Sequence, residues 1–326
     1  MSIAAVSEPL SQPNPTHPLP SSTLPATALV VGGTSLVGRH VLRRLSAQNF
    51  TGVAFSRQAE PNVVDTPNGF VWSQTHATVR STAATPSNGG RSGGGLGEHG
   101  PCVLLTLAPI TVVPPLLEET SEIQAVIALS TSSVFFKGDS ADPKERQFVT
   151  DVLEAENAIK TICADRGIPW TILRPTLVYD PGRDMNVSAV ARFIQRFKLF
   201  PIINPASGER QPVHADDVAH AMVAALSRSE AQNKVFALPG GETVTYREMV
   251  RRVFAAMSRT PRIMPIPVWP MRIGFRVWKA LTGSTKYSVE NLTRMNRDLT
   301  VDGAEAITCL GFEPRKFEVE TGAFER

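Results

Sequence analysis

Apolar positions along the 326-residue chain fall into short continuous runs separated by stretches of helical period. TALVV (27–31), GVAF (52–55), VLLTL (103–107), AVIALS (125–130) and WTILRPTLVY (170–179) read as buried strands. Leu36 to Leu45 and Phe148 to Cys163 carry the 3.6-residue period of helices packed on one side. Alternation of this kind predicts an α/β fold, a doubly wound parallel sheet with helices on both faces, over 27–181. After Asp180 the pattern loosens, which predicts a smaller C-terminal substrate lobe within 182–326. That lobe falls mainly in 182–211 and 240–326, with 212–227 returning to the sheet domain. Residues 1–26 carry many Pro and Ser and no hydrophobic period, so a disordered tail is expected. The glycines of SNGGRSGGGLGEHG make 81–101 a flexible surface insertion, because they lose the most backbone entropy on ordering.

Composition changes this picture little. Charged residues make up 19% and the formal net charge is +3, with no basic cluster beside interleaved aromatics, so no nucleic-acid partner is expected. Cys102, Cys163 and Cys309 form no CxxC pair, and no HExxH or Cys/His cluster is present, so no metal is expected and a reducing cytoplasm fits. No stretch reaches the roughly 18 apolar residues of a membrane span, and the start lacks a signal-peptide pattern. VWPMRIGFRVWKAL (268–281) mixes aromatic and basic residues. It reads as a pocket-covering helix with snorkelling cations; lying on a membrane surface is the alternative.

The segment ALVVGGTSLVGRHVLRRL presents a strand, a glycine turn and a helix in that order. Gly32, Ser35 and Gly38 stand at GxxGxxG spacing, with Ser35 where a middle glycine is usual. Gly32 would make the tight turn, and Gly38 would allow close helix–strand packing. The helix-start N–H groups of the Thr34, Ser35, Leu36 and Val37 stretch would hold a pyrophosphate. GTSLV is not a nucleophile elbow, because Val37 replaces its second glycine. The second strand ends GVAFSRQ, with no acid before Glu60. Ser56 and Arg57 are therefore the candidates for a 2′-phosphate, favouring NADP over NAD.

With this turn, ALSTSSVF (128–135), LEAENAI (153–159), WTILRPTLVYDPG (170–182) and RQPVHADDVAHA (210–221) resemble the extended and atypical short-chain dehydrogenase/reductases. Within that group the likeness is to the NAD(P)-dependent sugar-nucleotide epimerase/dehydratases, and it covers about residues 27–320. It implies a Rossmann domain and a hydroxyl at Thr131, or else Ser132, that polarises the substrate oxygen. It also implies that Leu107, Ala108 and Pro109 run beneath the cofactor riboses and that Arg174 and Pro175 run beside the nicotinamide. His214, Asp216 and Asp217 match a motif with a mainly structural role.

One departure bears on chemistry. The family relies on a YxxxK pair, in which lysine lowers the tyrosine pKa from about 10 so that the phenol exchanges protons near neutrality. Anchored on Ala155-Glu156, those positions hold Phe148 and Val152, and the chain's three tyrosines are Tyr179, Tyr246 and Tyr287. Phe148, Val152, Ala155, Ile159 and Ile162 form an apolar stripe at helical spacing instead. Tyr179 and Lys137 are the available substitutes. Two functions follow: an NADP(H)-dependent oxidoreductase or epimerase-like enzyme on a small carbonyl or sugar-nucleotide substrate, by non-standard acid/base chemistry, or a catalytically degenerate NADP(H)-binding sensor or assembly protein. A homodimer is compatible with either.

Overall fold

A computed structural model describes residues 24–57, 67–74, 100–267 and 294–324. Six strands come first: β1 (Thr27–Val31), β2 (Thr51–Ser56), β3 (Phe70–Gln74), β4 (Cys102–Thr106), β5 (Ile123–Leu129) and β6 (Trp170–Pro175). Four short ones follow, β7 (Val178–Tyr179), β8 (Phe200–Ile203), β9 (Glu209–Arg210) and β10 (Val213–His214). After them come β11 (Lys234–Leu238), β12 (Val244–Thr245) and β13 (Ile263–Ile266). Among the described residues the α-helices are α1 (Gly38–Ala47), α2 (Val113–Glu119), α3 (Pro143–Asp165), α4 (Val187–Phe197), α5 (Ala215–Leu226), α6 (Tyr246–Ala256) and α7 (Ala304–Leu310).

Seven strands form one parallel sheet in the order β11-β6-β5-β4-β1-β2-β3. Helices cover both of its faces, which is why β4 is buried along its whole length and reads as an unbroken apolar run. On one face α1 presents Gly38, Val41, Leu42 and Leu45 to the core it shares with α5 and α7. On the other, α2 and α3 close over Leu29, Leu104 and Val126. A separate core gathers Tyr179, Ile194, Phe254 and Phe317, from segments between 179 and 257 and after 294.

Several expectations are corrected. The run 170–179 is two strands: β6 belongs to the main sheet, whereas β7 leaves it and pairs with β10. β3, β11 and α2 had no assigned element. α3 begins at Pro143, with the Asp142 carboxylate accepting from the Lys144 N–H as an N-cap. Its buried line runs through Val149, Val152, Ala155, Ile159 and Cys163, and Phe148 is 43% exposed rather than part of an apolar stripe. Leu24 packs on the core and the Ala26 carbonyl accepts from Thr51 N–H, so ordered packing begins before residue 27. The rest of the expected tail, 81–99 of the insertion, and 268–281 lie outside the described residues.

Candidate functional site

The glycine turn leaves the carboxyl end of β1, where the strand order reverses between β4 and β2. Open α/β sheets hold ligands at such a switch point. Gly32 has φ +88°, and its N–H and that of Gly33 both donate to the Phe55 carbonyl of β2. A methyl group at Gly32 would stand 2.9 Å from the Ala108 nitrogen, and one at Gly38 would stand 2.4 Å from the Gly32 carbonyl oxygen. Gly32 therefore needs glycine for its backbone conformation and for contact, and Gly38 for contact alone. The Ser35 hydroxyl accepts from Gly38 N–H at 3.1 Å, which closes the turn and leaves its own proton to donate. The Thr34, Leu36 and Val37 N–H groups make no hydrogen bond to the described protein. Free N–H groups at a helix start, with the positive end of the helix dipole, form a cradle suited to an anionic pyrophosphate.

Neighbouring segments converge on this turn. Thr34 and Ser56 join hydroxyls at 2.8 Å, which ties the turn to the end of β2. Arg57 follows, exposed, its carbonyl accepting from Gln74. Leu107 donates to the Val31 carbonyl at 2.7 Å, holding Leu107, Ala108 and Pro109 beside Gly32.

At the carboxyl ends of β5 and β6 a second group assembles. Thr131 caps the short helical turn Ser132–Phe135, accepting from Ser133 N–H at 3.1 Å and donating to the Ser133 hydroxyl at 3.0 Å. Thr131 remains partly exposed, whereas Ser132 is buried. Beside them Ser130 donates to Glu156 at 2.5 Å, and Arg174 clamps both oxygens of the same carboxylate. Glu156 is buried on α3, and among the described residues its charge is offset by these partners. Arg174 is thus committed to Glu156, with its guanidinium over the Phe135 ring, and Pro175 is buried in the sheet.

Where the resemblance puts a tyrosine, the Phe148 ring lies under the Lys137 ammonium, 5.7 Å from nitrogen to ring centre. Lys137 also pairs with Glu145 at 3.4 Å. Tyr179 is fully enclosed, edge-on to His214 and Phe317. Burial drives its phenol up to about 12, and its hydroxyl lacks a partner of hydrogen-bond geometry among the described residues. Tyr179 thus packs between two rings, closed off from solvent.

The model of the NAD dependent epimerase/dehydratase family matches residues 28–238. The chain belongs to this family. It is 25% identical over 179 residues to UDP-glucose 4-epimerase of Vibrio cholerae, covering 55% of this chain and 52% of that one. It is 27% identical over 124 residues to the mitochondrial NADH dehydrogenase [ubiquinone] 1 alpha subcomplex subunit 9 of Arabidopsis thaliana, covering 37% and 29% of the two. The chain spans about half the length of the first curated relatives it matches. Among solved structures, UDP-glucuronic acid 4-epimerase of Bacillus cereus, in complex with UDP-glucuronic acid and NAD, superposes with a TM-score of 0.66. That match has 16% identity and covers 92% and 99% of the two chains.

In this epimerase/dehydratase-family member the HADD segment ties α5 to α1 through ion pairs. Arg44 of α1 forks onto both Asp216 oxygens at 2.8 and 2.9 Å, and Arg315 adds contacts to Asp216 and Asp217. Burial pushes the Asp216 carboxyl up, but the Arg44 and Arg315 contacts outweigh it and hold it near about 2. His40 bridges this cluster to Asp180, 3.2 Å from its carboxylate. His214 caps α5 through Nδ1, and burial followed by the Arg315 charge lowers its pKa. Glu156, His40 and Arg44 are functional candidates that only the folded chain brings out. Glu156 lay within a quoted motif, but an acid on a helix gives no sign that its partners are a serine 26 residues before it and an arginine 18 after.

Proposed function

We propose that this chain is a nicotinamide-dinucleotide-dependent oxidoreductase or epimerase-like enzyme acting on a small carbonyl or sugar-nucleotide substrate, with acid/base chemistry outside the tyrosine–lysine pattern. The observation that carries this reading is the meeting of the glycine turn, Ser56 and Leu107–Pro109 at the sheet's switch point, together with a partly exposed hydroxyl at Thr131 past the end of β5. Gly32, Thr34, Ser35, Leu36, Val37 and Gly38 would hold the pyrophosphate. Ser56 and Arg57 would take a 2′-phosphate, which favours NADP(H) over NAD(H). When bound, the nicotinamide supplies or accepts hydride. Thr131 would turn its hydroxyl proton from Ser133 to the substrate oxygen. Lys137, the cation above Phe148, would hold the proton that the missing phenol cannot. Arg174 acts through Glu156 and Ser130, fixing the strand end that presents Thr131.

A panel of carbonyl compounds and sugar nucleotides, followed by reduced-nicotinamide absorbance and product analysis, tests this reading. Turnover lost in Thr131→Ala and cut about 100-fold or more in Lys137→Ala is the expected result. Full turnover in both variants would place the chemistry elsewhere. A second reading is favoured by Phe148 and the enclosed Tyr179: a dinucleotide-binding protein without catalysis, a sensor or a part of an assembly. The likeness to an NADH dehydrogenase subunit points the same way. Tight nucleotide binding with silence across the panel supports it.

A further inference from the structure

Several of the chain's cations stand in ion pairs: Arg44 with Asp216, Arg252 with Glu242, Arg297 with Asp139. One face gathers five cations that do not, among the described residues. α4 turns Val187, Val190, Ala191 and Ile194 inward and leaves Arg192, Arg196 and Phe197 outside. Lys198 ends the helix, exposed, in the left-handed conformation. β13 lies alongside β8, with the Phe200 N–H donating to the Arg262 carbonyl at 2.9 Å. Arg259 reaches the Ile194 carbonyl at 3.4 Å, so these elements form one continuous surface.

Arg192, Arg196, Lys198, Arg259 and Arg262 make no ion pair among the described residues, and no Asp or Glu occurs in 187–200 or 258–267. Interspersed with these cations are Met185, Phe197 and Met264, which are 76%, 54% and 47% exposed. The Arg192 guanidinium lies 3.7 Å from the Met185 sulfur. Exposed apolar side chains scattered singly are ordinary on a protein surface, but here three accompany five cations that are unpaired among the described residues.

We propose that the surface formed by α4, Lys198 and β13 docks on an anionic lipid membrane. The cations would lie among phosphate headgroups while Phe197, Met185 and Met264 enter the acyl boundary. Single-stranded nucleic acid fits less well, since stacking needs a series of aromatic faces and two of the three apolar side chains are methionines. Peripheral contact requires no spanning helix, and none of the described helices is long and apolar enough to cross a membrane.

Flotation of the full-length protein with phosphatidylcholine vesicles, and with vesicles containing phosphatidylglycerol, decides the matter. Flotation with the anionic vesicles alone, released by high salt, is expected. R196Q/K198Q/R262Q should lower partitioning roughly 100-fold, about fivefold per cation removed, with the fold checked by circular dichroism. F197S/M264S should weaken binding at low salt without changing its salt dependence. Absence of flotation, equal flotation with neutral vesicles, or undiminished flotation of the folded triple variant would each overturn the proposal. So would retention on single-stranded DNA without vesicle binding. Should the triple variant misfold, the wild-type comparison of lipid composition and salt remains decisive. None of these side chains belongs to the nucleotide or Thr131 groups, so the result is independent of the proposed enzymatic role.

Discussion

At Gly38 the constraint is atomic, because helix α1 passes close enough to the turn that one methyl group would strike the Gly32 carbonyl. Gly38→Ala should cost about 1–3 kcal/mol, read from a urea midpoint, and should loosen the turn that receives the nucleotide. An unchanged midpoint would mean that helix and turn are not held at this distance. Glu156 is the other residue on which the site depends. Glu156→Ala leaves Arg174 partly buried without its carboxylate and should destabilise by about 3–5 kcal/mol. The two residues differ in how visible they were. Gly38 announces itself by spacing after an apolar strand, whereas the partners of Glu156 meet only in the folded chain. Phe148 shows the opposite failure. It shares a helical period with Val152, but the helix buries the line through Val149 and turns Phe148 outward under Lys137.

At the scale of elements, α1 is joined to α5 by ions as well as by packing, and the ions make the joint acid-sensitive. Asp216 is held near about 2 in the folded protein against an ordinary value near 3.9, and Glu145, its burial outweighed by Arg294, is likewise near about 2. Asp180 is lowered too, its burial outweighed by His40. A depressed carboxylate contributes stability that is present above its unfolded value and lost as pH falls through its folded value. The urea midpoint should therefore hold steady down to about pH 5 and fall steeply toward pH 2. Asp216→Asn should flatten part of that slope, and a midpoint level down to pH 2 would contradict it. The elements that escaped notice did so for local reasons. α2 opens on two prolines, residues that start a helix as readily as they forbid one. β6 and β7 read as one strand because their apolar run is unbroken, and only pairing with β10 separates them.

For the whole molecule, alternating strands and helices were enough to anticipate a parallel sheet covered on both faces, since each buried strand reads apolar throughout. Strand order was not legible, and it is the order that puts the glycine turn at the switch point between β4 and β2. The second core was equally hidden, because segments far apart in sequence build it together. The nucleotide-holding turn joins these scales: glycine contact at the residue, an α1 start at the element, and the switch point of the sheet. Calorimetric titration of the purified chain with NADPH and with NADH tests it most directly. The expected result is saturable binding, tighter for NADPH, with that preference lost in Arg57→Ala and all binding weakened in Gly38→Ala. Equal affinities unmoved by Arg57→Ala would contradict the 2′-phosphate role, and binding of neither nucleotide would contradict the site itself.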